Sequence, residues 1–557
     1  MRIFIKSSFF IFSVFILLSP LLGQEEMKDW HHQGKASNFP TGIGSDDWYA
    51  SQTQGKSRKI IVAILDCGVD IQHPDLKDNI WINPGEIAGN HKDDDGNGYV
   101  DDMSGWNFLG GPDGKSVIKE SFEVTREYAK GKNKWANADT LHLKGKKKKE
   151  YEEFIEIKSV VERKRQVASE HILQVSAMEA VVLKSLKAAK EELDGDSLDL
   201  EKLESSENED VLTAAKIIRN VEDQGMKVES IDWLIEIAEE EFATQISNDE
   251  ETLNISFNPD YNARAIIGDT YTDFTNRFYG NNNVGGEFAL HGTHVSGIVG
   301  AKRNNNLGMN GVADNVALMA IKVVPDGDER DKDVANAIIY AVDNGAEVIN
   351  MSFGKGYSPE KYLVDNAVKY AAKHDVLLVH GAGNESTNVD ESPNFPNDTY
   401  AKKSLFGPRT AKNFISVGAL NPEGGEQSVA EFSNYGKKGV DVYAPGVYIY
   451  ATTPDSAYEY LSGTSMAAPV VTGLAAMIRS RYPKLSAAQV KDVLIKSARK
   501  LPAKVIQPGT YDLVSGEIMG VSGPIDMPAA MKMASQMKGK RKASNMPAEY
   551  VKPHGKT

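Results

Sequence analysis

Ser465 lies in a turn of small residues, Gly463-Thr464-Ser465-Met466-Ala467-Ala468-Pro469. An apolar run at helical spacing follows at once: Val470, Val471, Leu474, Ala475, Met477 and Ile478. A serine on the first turn of such a helix sits among unpaired backbone N–H groups. The helix dipole there favours negative charge, so an alkoxide or oxyanion is stabilised. Serine is a weak nucleophile until a base takes its proton, so the chemistry requires a histidine and an acid that orients it. A serine in this place is also an ordinary helix cap, and the turn alone decides nothing. Two further stretches carry the missing residue types. One is His291-Gly292-Thr293-His294-Val295-Ser296-Gly297; the other is Ile61-Val62-Ala63-Ile64-Leu65-Asp66-Cys67-Gly68-Val69-Asp70.

In the order Asp, His, Ser these stretches resemble the subtilisin-like serine peptidases, the subtilase family. The resemblance runs from about residue 48 to residue 535 and is broken by one large insertion. It implies a nucleophile at Ser465, a general base at His291 and an orienting acid at Asp66. A donor is also needed where negative charge develops on the substrate. His380-Gly381-Ala382-Gly383-Asn384-Glu385 resembles the segment in which the family places it, with Asn384 as the side-chain donor and the Ser465 backbone N–H as the second. Taken alone, Asn384 is equally a turn residue. The resemblance further implies that Ser352, Phe353 and Gly354 pair an extended substrate, with Gly381, Ala382 and Gly383 as the opposite wall. These small residues suggest a primary pocket open to large apolar groups.

Calcium has two candidate sites. Asp93, Asp95, Asn97 and Asp101 space oxygen ligands along a loop with Gly98 at its sixth position, like the start of an EF-hand, although Ser104 stands where glutamate would close the shell. A solvated acidic turn explains the same spacing. Asp75 and Asn305, in His73-Pro74-Asp75-Leu76 and Asn304-Asn305-Asn306-Leu307-Gly308-Met309, resemble two halves of a family calcium site. Cys67 replaces the serine or threonine that commonly follows the aspartate, and the apolar strand before it argues for a small buried residue. His294 reads as a buried hydrogen-bonding partner, since no third ligand completes a metal site with it.

Those side chains need a scaffold. Continuous apolar runs predict parallel strands at 60–65, 317–323, 348–351, 376–380 and 414–417. Helical periodicity predicts helices at 295–301, 334–343, 361–373, 467–482 and 486–497. The alternation implies an α/β fold, a doubly wound, mostly parallel sheet. Asp66 ends its strand, where the crevice of such sheets forms. Between Asp66 and His291 stand 225 residues of sequence separation, more than a minimal subtilase needs. Within that span Ile157, Val161, Ala168, Ile172, Val175, Val182, Leu186, Ala189 and Leu193 predict one long amphipathic helix ending at Asp194-Gly195. Two shorter helices follow, around 211–221 and 231–238. A lone helix would expose its apolar stripe, so the insertion reads as an all-helical hairpin or bundle.

The expected organisation is a signal peptide at 1–23, catalytic domain at 24–112 and 259–537, a helical subdomain at 113–258 and a basic, disordered tail at 538–557. Arg2 and Lys6, a short apolar run and Gly23 give the amino terminus its secretory pattern, so the protein is expected to be exported, with no membrane span after signal removal. One cysteine in 557 residues precludes an intrachain disulfide. A net charge of −15 disfavours nucleic acid as a partner. The expectation is a secreted serine endopeptidase acting on polypeptides through an acyl-enzyme. The alternatives are an exopeptidase and a catalytically silent peptide-binding scaffold. Oligomeric state is left open.

Overall fold

The computed structural model describes residues 27–34, 36–51, 57–195, 197–286, 288–402 and 407–545. The expected signal peptide lies outside them. Among the described residues, no helix is long and apolar enough to cross a membrane.

Seven strands form one parallel sheet: β1 (Ile60–Asp66), β2 (Gly105–Asn107), β3 (Val316–Lys322), β4 (Val348–Met351), β5 (Leu377–Gly381), β6 (Phe414–Leu420) and β7 (Val442–Pro445). Their order is β2-β3-β1-β4-β5-β6-β7, and each neighbouring pair is parallel. Near-total burial of β1, β3 and β4 explains their unbroken apolar sequences. The chain lays β2 and then β3 on one side of β1, with β3 between them, then crosses over to build β4 to β7 on the other. That reversal opens a crevice at the carboxyl ends of the central strands. Register brings Leu65 opposite Met351 and Asp66 opposite Lys322. The short β2 and β7 and an antiparallel hairpin, β8 (Ile449–Thr453) with β9 (Ala457–Leu461), have no apolar run long enough to announce them.

The segment before β1 is built into the core. Trp30 is fully buried, and its Nε1 donates to the Val447 and Tyr448 carbonyls. His32 bonds Ser45 Oγ at 2.6 Å and the Asn310 carbonyl at 2.7 Å, and a short helix, α1 (Ser45–Ser51), follows.

Residues Lys119–Ala263 form a separate compact unit. Its main helices are α2 (Glu123–Trp135), α3 (Gly145–Leu193), α4 (Glu209–Asp223) and α5 (Ile231–Glu251). At 1.5 Å per residue, α3 is roughly 70 Å long. It stops where Asp194 turns left-handed (φ +49°) and its N–H caps the Glu191 carbonyl. Leu186, Ala189 and Leu193 pack on Val211, Ala215, Ile218, Leu234 and Ile235, which gives the apolar stripe its cover. The unit begins and ends a few residues later than the sequence composition suggested.

In the remaining unit the helices are α6 (Leu290–Gly300), α7 (Asp331–Asp343), α8 (Lys361–Lys373), α9 (Thr464–Arg481), α10 (Ala487–Ser497) and α11 (Met527–Gln536). Helix α9 is buried along nearly its whole length and shares one core with the sheet. In the stretch from Lys538, expected as a disordered tail, Gln489 bonds the Lys538 carbonyl and the Lys540 N–H. Arg541 is buried there, 2.7 Å from Glu347 and 3.1 Å from Asp375, because two buried carboxylates need its charge.

Candidate active site

Asp66 closes β1, and its Oδ1 accepts hydrogen bonds from His291 Nδ1 at 2.7 Å and from the Cys67 N–H at 2.8 Å. His291 stands on the first turn of α6. Gly292 lets that turn approach, since a Cβ there would stand 3.0 Å from the Asp66 Cβ and 2.1 Å from the Gly68 carbonyl. Burial opposes an imidazolium at His291, but the Asp66 charge and hydrogen bond outweigh it, and the net effect raises its pKa.

Ser465 stands on the first turn of α9 and meets the end of β4. Its Oγ donates to the Ser352 carbonyl at 3.1 Å, and Ser352 Oγ donates to the Ser465 carbonyl at 2.8 Å. Pro469, one turn on, explains the second bond: without an N–H it leaves the Ser465 carbonyl free. Since β4 adjoins β1, Ser465 and Asp66 flank one crevice. The Ser465 hydroxyl is not hydrogen-bonded to His291, a looseness common before substrate binds.

Asn384 is fixed by its oxygen. Oδ1 accepts from the Thr464 N–H and Thr464 Oγ1, both at 2.9 Å, which turns Nδ2 away from them. A Cβ built on Gly463 would lie 3.4 Å from Asn384 Nδ2 and 3.5 Å from the Ser465 nitrogen, so both donors border the same space. An oxyanion hole needs this kind of pairing.

The two expected substrate walls differ. Ala382 N–H bonds Val417, Gly383 N–H bonds Thr464 Oγ1, and the Gly383 carbonyl accepts from Asn434. That wall is internally paired and can only line a groove. Along 352–354, His380 Nε2 holds the Phe353 carbonyl at 2.7 Å, and Gly354 makes no backbone hydrogen bond among the described residues. Polar side chains stand against the glycines of both walls. A Cβ on Gly354 would meet Asn394 Nδ2, and one on Gly383 would meet Asn434 Nδ2, Glu385 Oε2 and Asn394 Nδ2.

The acidic residues expected to bind calcium also hold the protein's own donors. Asp93 and Asp101 spend their carboxylates on backbone N–H groups of Asn97, Gly98, Asn90 and His91. Asn97 turns its Nδ2 to Asp95 and Asp102. Of the four residues only Asp95 converges with other acids, joining Glu86 and Asp102 with one oxygen each within 4.8 Å. Burial pushes Asp102 up to about 6 despite hydrogen bonds from Tyr340, Asn83 and Asn97. Crowded carboxylates of this kind could hold a metal ion. Asp75 and Asn305 do meet, but through Asn305 Nδ2 at 2.5 Å, while Met309 N–H and Tyr458 OH bond the other carboxylate oxygen. Asp75 thus accepts three hydrogen bonds from the protein.

A sequence profile of the subtilase family, peptidase S8, matches residues 57–511. The chain belongs to the subtilase family. It is 41% identical over 192 residues to a thermophilic serine proteinase of Bacillus sp. strain AK1, covering 34% of this chain and 43% of that protein. To subtilisin DY of Bacillus licheniformis it is 39% identical over 214 residues, covering 38% of this chain and 71% of that one. A solved protease of Pseudoalteromonas arctica is 30% identical with a TM-score of 0.36, over 44% of this chain and 70% of the other. The match thus spans less than half of the AK1 proteinase.

Proposed function

We propose that this subtilase is an exported serine endopeptidase. The observation that carries the reading is the 2.7 Å hydrogen bond from His291 Nδ1 to the buried Asp66, at a strand end flanked by Ser465. That bond fixes the tautomer with Nε2 free as base. His291 Nε2 takes the Ser465 proton as Oγ attacks a peptide carbonyl, then returns it to the leaving amine. Asp66 steadies the imidazolium. Asn384 Nδ2 and the Ser465 N–H receive the oxyanion, and water hydrolyses the resulting acyl-enzyme. Gly354 offers free main-chain groups to an extended peptide, while residues 381–383 wall the groove.

Export rests on the amino-terminal sequence pattern. Calcium suits the hard oxygens of Glu86, Asp95 and Asp102, where it would relieve carboxylate repulsion and brace the 86–102 loop. A chelator is then expected to lower the melting temperature, with calcium restoring it.

Labelling with a fluorophosphonate tests the function. Wild type should label and Ser465→Ala should not, with peptide hydrolysis falling by at least about 10³-fold. The bond from Ser465 Oγ to Ser352 favours one rival, a silent scaffold, and an unlabelled, inactive wild type would establish it. Internal cleavage of a long peptide would separate endo- from exopeptidase action.

A further inference from the structure

Asp66 is 1% exposed, yet its two oxygens are treated unequally. Oδ1 accepts two hydrogen bonds, whereas Oδ2 is buried and accepts none among the described residues. A buried carboxylate oxygen without a donor is costly and rare. Beside it stands Cys67, the chain's single cysteine, itself buried. Its thiol lies within hydrogen-bonding reach of the Asp66 carboxylate, and burial together with that charge pushes the thiol up, so it stays protonated. A thiol is a weak donor.

The other charged and titratable groups nearby do not fill the gap. His291 is spent on Oδ1. His294 on α6 gives Nε2 to the Glu459 carbonyl. Lys322 on β3, opposite Asp66 in register, sends its Nζ to the Gly285 carbonyl at 3.3 Å.

We propose that Cys67 is a positioning residue whose weakly donating thiol leaves the Asp66 charge undivided for the His291 imidazole. This rests on the proposed triad. A hydroxyl at position 67 would donate to Oδ2, stabilise the carboxylate and weaken its hold on an imidazolium. His291 would then lose its proton at lower pH. Cysteine here sets the acid limb of activity higher than serine would.

The test is the pH profile of kcat/KM for wild type, Cys67→Ser and Cys67→Ala, with thermal unfolding checked for each. Cys67→Ser is expected to move the acid limb down by about half a pH unit, the net worth of one ordinary hydrogen bond. Cys67→Ala adds no donor and should leave the limb in place. An unmoved limb in Cys67→Ser, or an equal shift in both variants, overturns the proposal. A second readout needs no turnover: NMR titration of the His291 ring in Ser465→Ala, with and without Cys67→Ser, should show the same shift. Failure of the triad would appear separately, as activity retained by Ser465→Ala.

Discussion

Helix α3 and the core of the sheet unit handle charge in opposite ways. Along α3, Lys146 faces Glu150, Lys148 faces Glu152 and Lys158 faces Glu162, each one turn apart at 3.6–3.8 Å and largely in water. In the sheet unit, Arg479 is fully buried between Glu347 at 3.2 Å and Asp375 at 2.9 Å. Arg541 reaches both acids, and Arg58 reaches Glu347. Elsewhere in that unit Lys332 is buried 2.8 Å from Asp269. The first arrangement is solvated and interchangeable, and the apolar stripe holds the helices together. The second brings charged chain segments from distant positions to one place. The buried charges of these clusters are tolerated because each has a partner.

The largest effect should come from breaking that pairing. Glu347 is held down to about 2 by the guanidinium groups of Arg479, Arg58 and Arg541, against a burial cost. Glu347→Ala leaves Arg479 and Arg541 sharing Asp375 and takes the carboxylate from Arg58. Removal of one partner from a buried ion pair costs about 3–5 kcal/mol, so denaturant unfolding of the sheet unit should show a loss of this size. A loss below about 1 kcal/mol would put the cluster on a par with a surface pair and erase the contrast.

Acid should separate the units next. Burial lowers His31 to about 3, and His294 and His380 to about 4. Unfolded histidines titrate near 6.5. The folded values are depressed, so the stability is complete above about 6.5 and lost as pH falls toward 4. Each histidine accounts for about 3 kcal/mol across that window. His291 is raised and works the other way, its contribution fading as pH rises past its folded value. Glu347 adds to the acid loss only below about 4.5. The helical unit has no buried histidine among its described residues. Melting followed between pH 7 and 5 should therefore weaken the sheet unit first; equal weakening of α3 by hydrogen exchange would contradict this.

The same contrast explains what could be read from sequence. Strand β4 and helix α8 were legible to the residue, because burial on both faces or on one stripe writes itself into local periodicity. Asp66, His291, Ser465 and Asn384 stand in motifs, so their types could be read, while their distances could not. The rest depends on partners far along the chain. Trp30 finds the Val447 carbonyl 417 residues on, and Arg541 finds Glu347 across 194. Glu86 and Asp102 join Asp95 through the path of a loop, whereas Asp93 and Asp101 have the suggestive spacing but turn to brace the backbone. A ligand pattern in sequence specifies oxygens, and only the fold decides which of them face inward.

The smallest expected effect is the most direct probe of the helical unit. Lys148 and Glu152 lie 3.6 Å apart with side chains 62% and 58% exposed. In water their attraction is screened, and ordering two long side chains offsets most of it. Glu152→Gln keeps the shape and a good helix former while removing the charge. Hydrogen exchange along α3 should therefore change by less than about 0.5 kcal/mol, and the change should vanish in high salt. By contrast, Leu186→Ala in the same helix removes a fully buried side chain from the contact with Val211 and Ile218 and should cost about 2–5 kcal/mol. Were the charge change to rival the apolar one, α3 would depend on its surface pairs, and its charges would matter as those of the sheet core do.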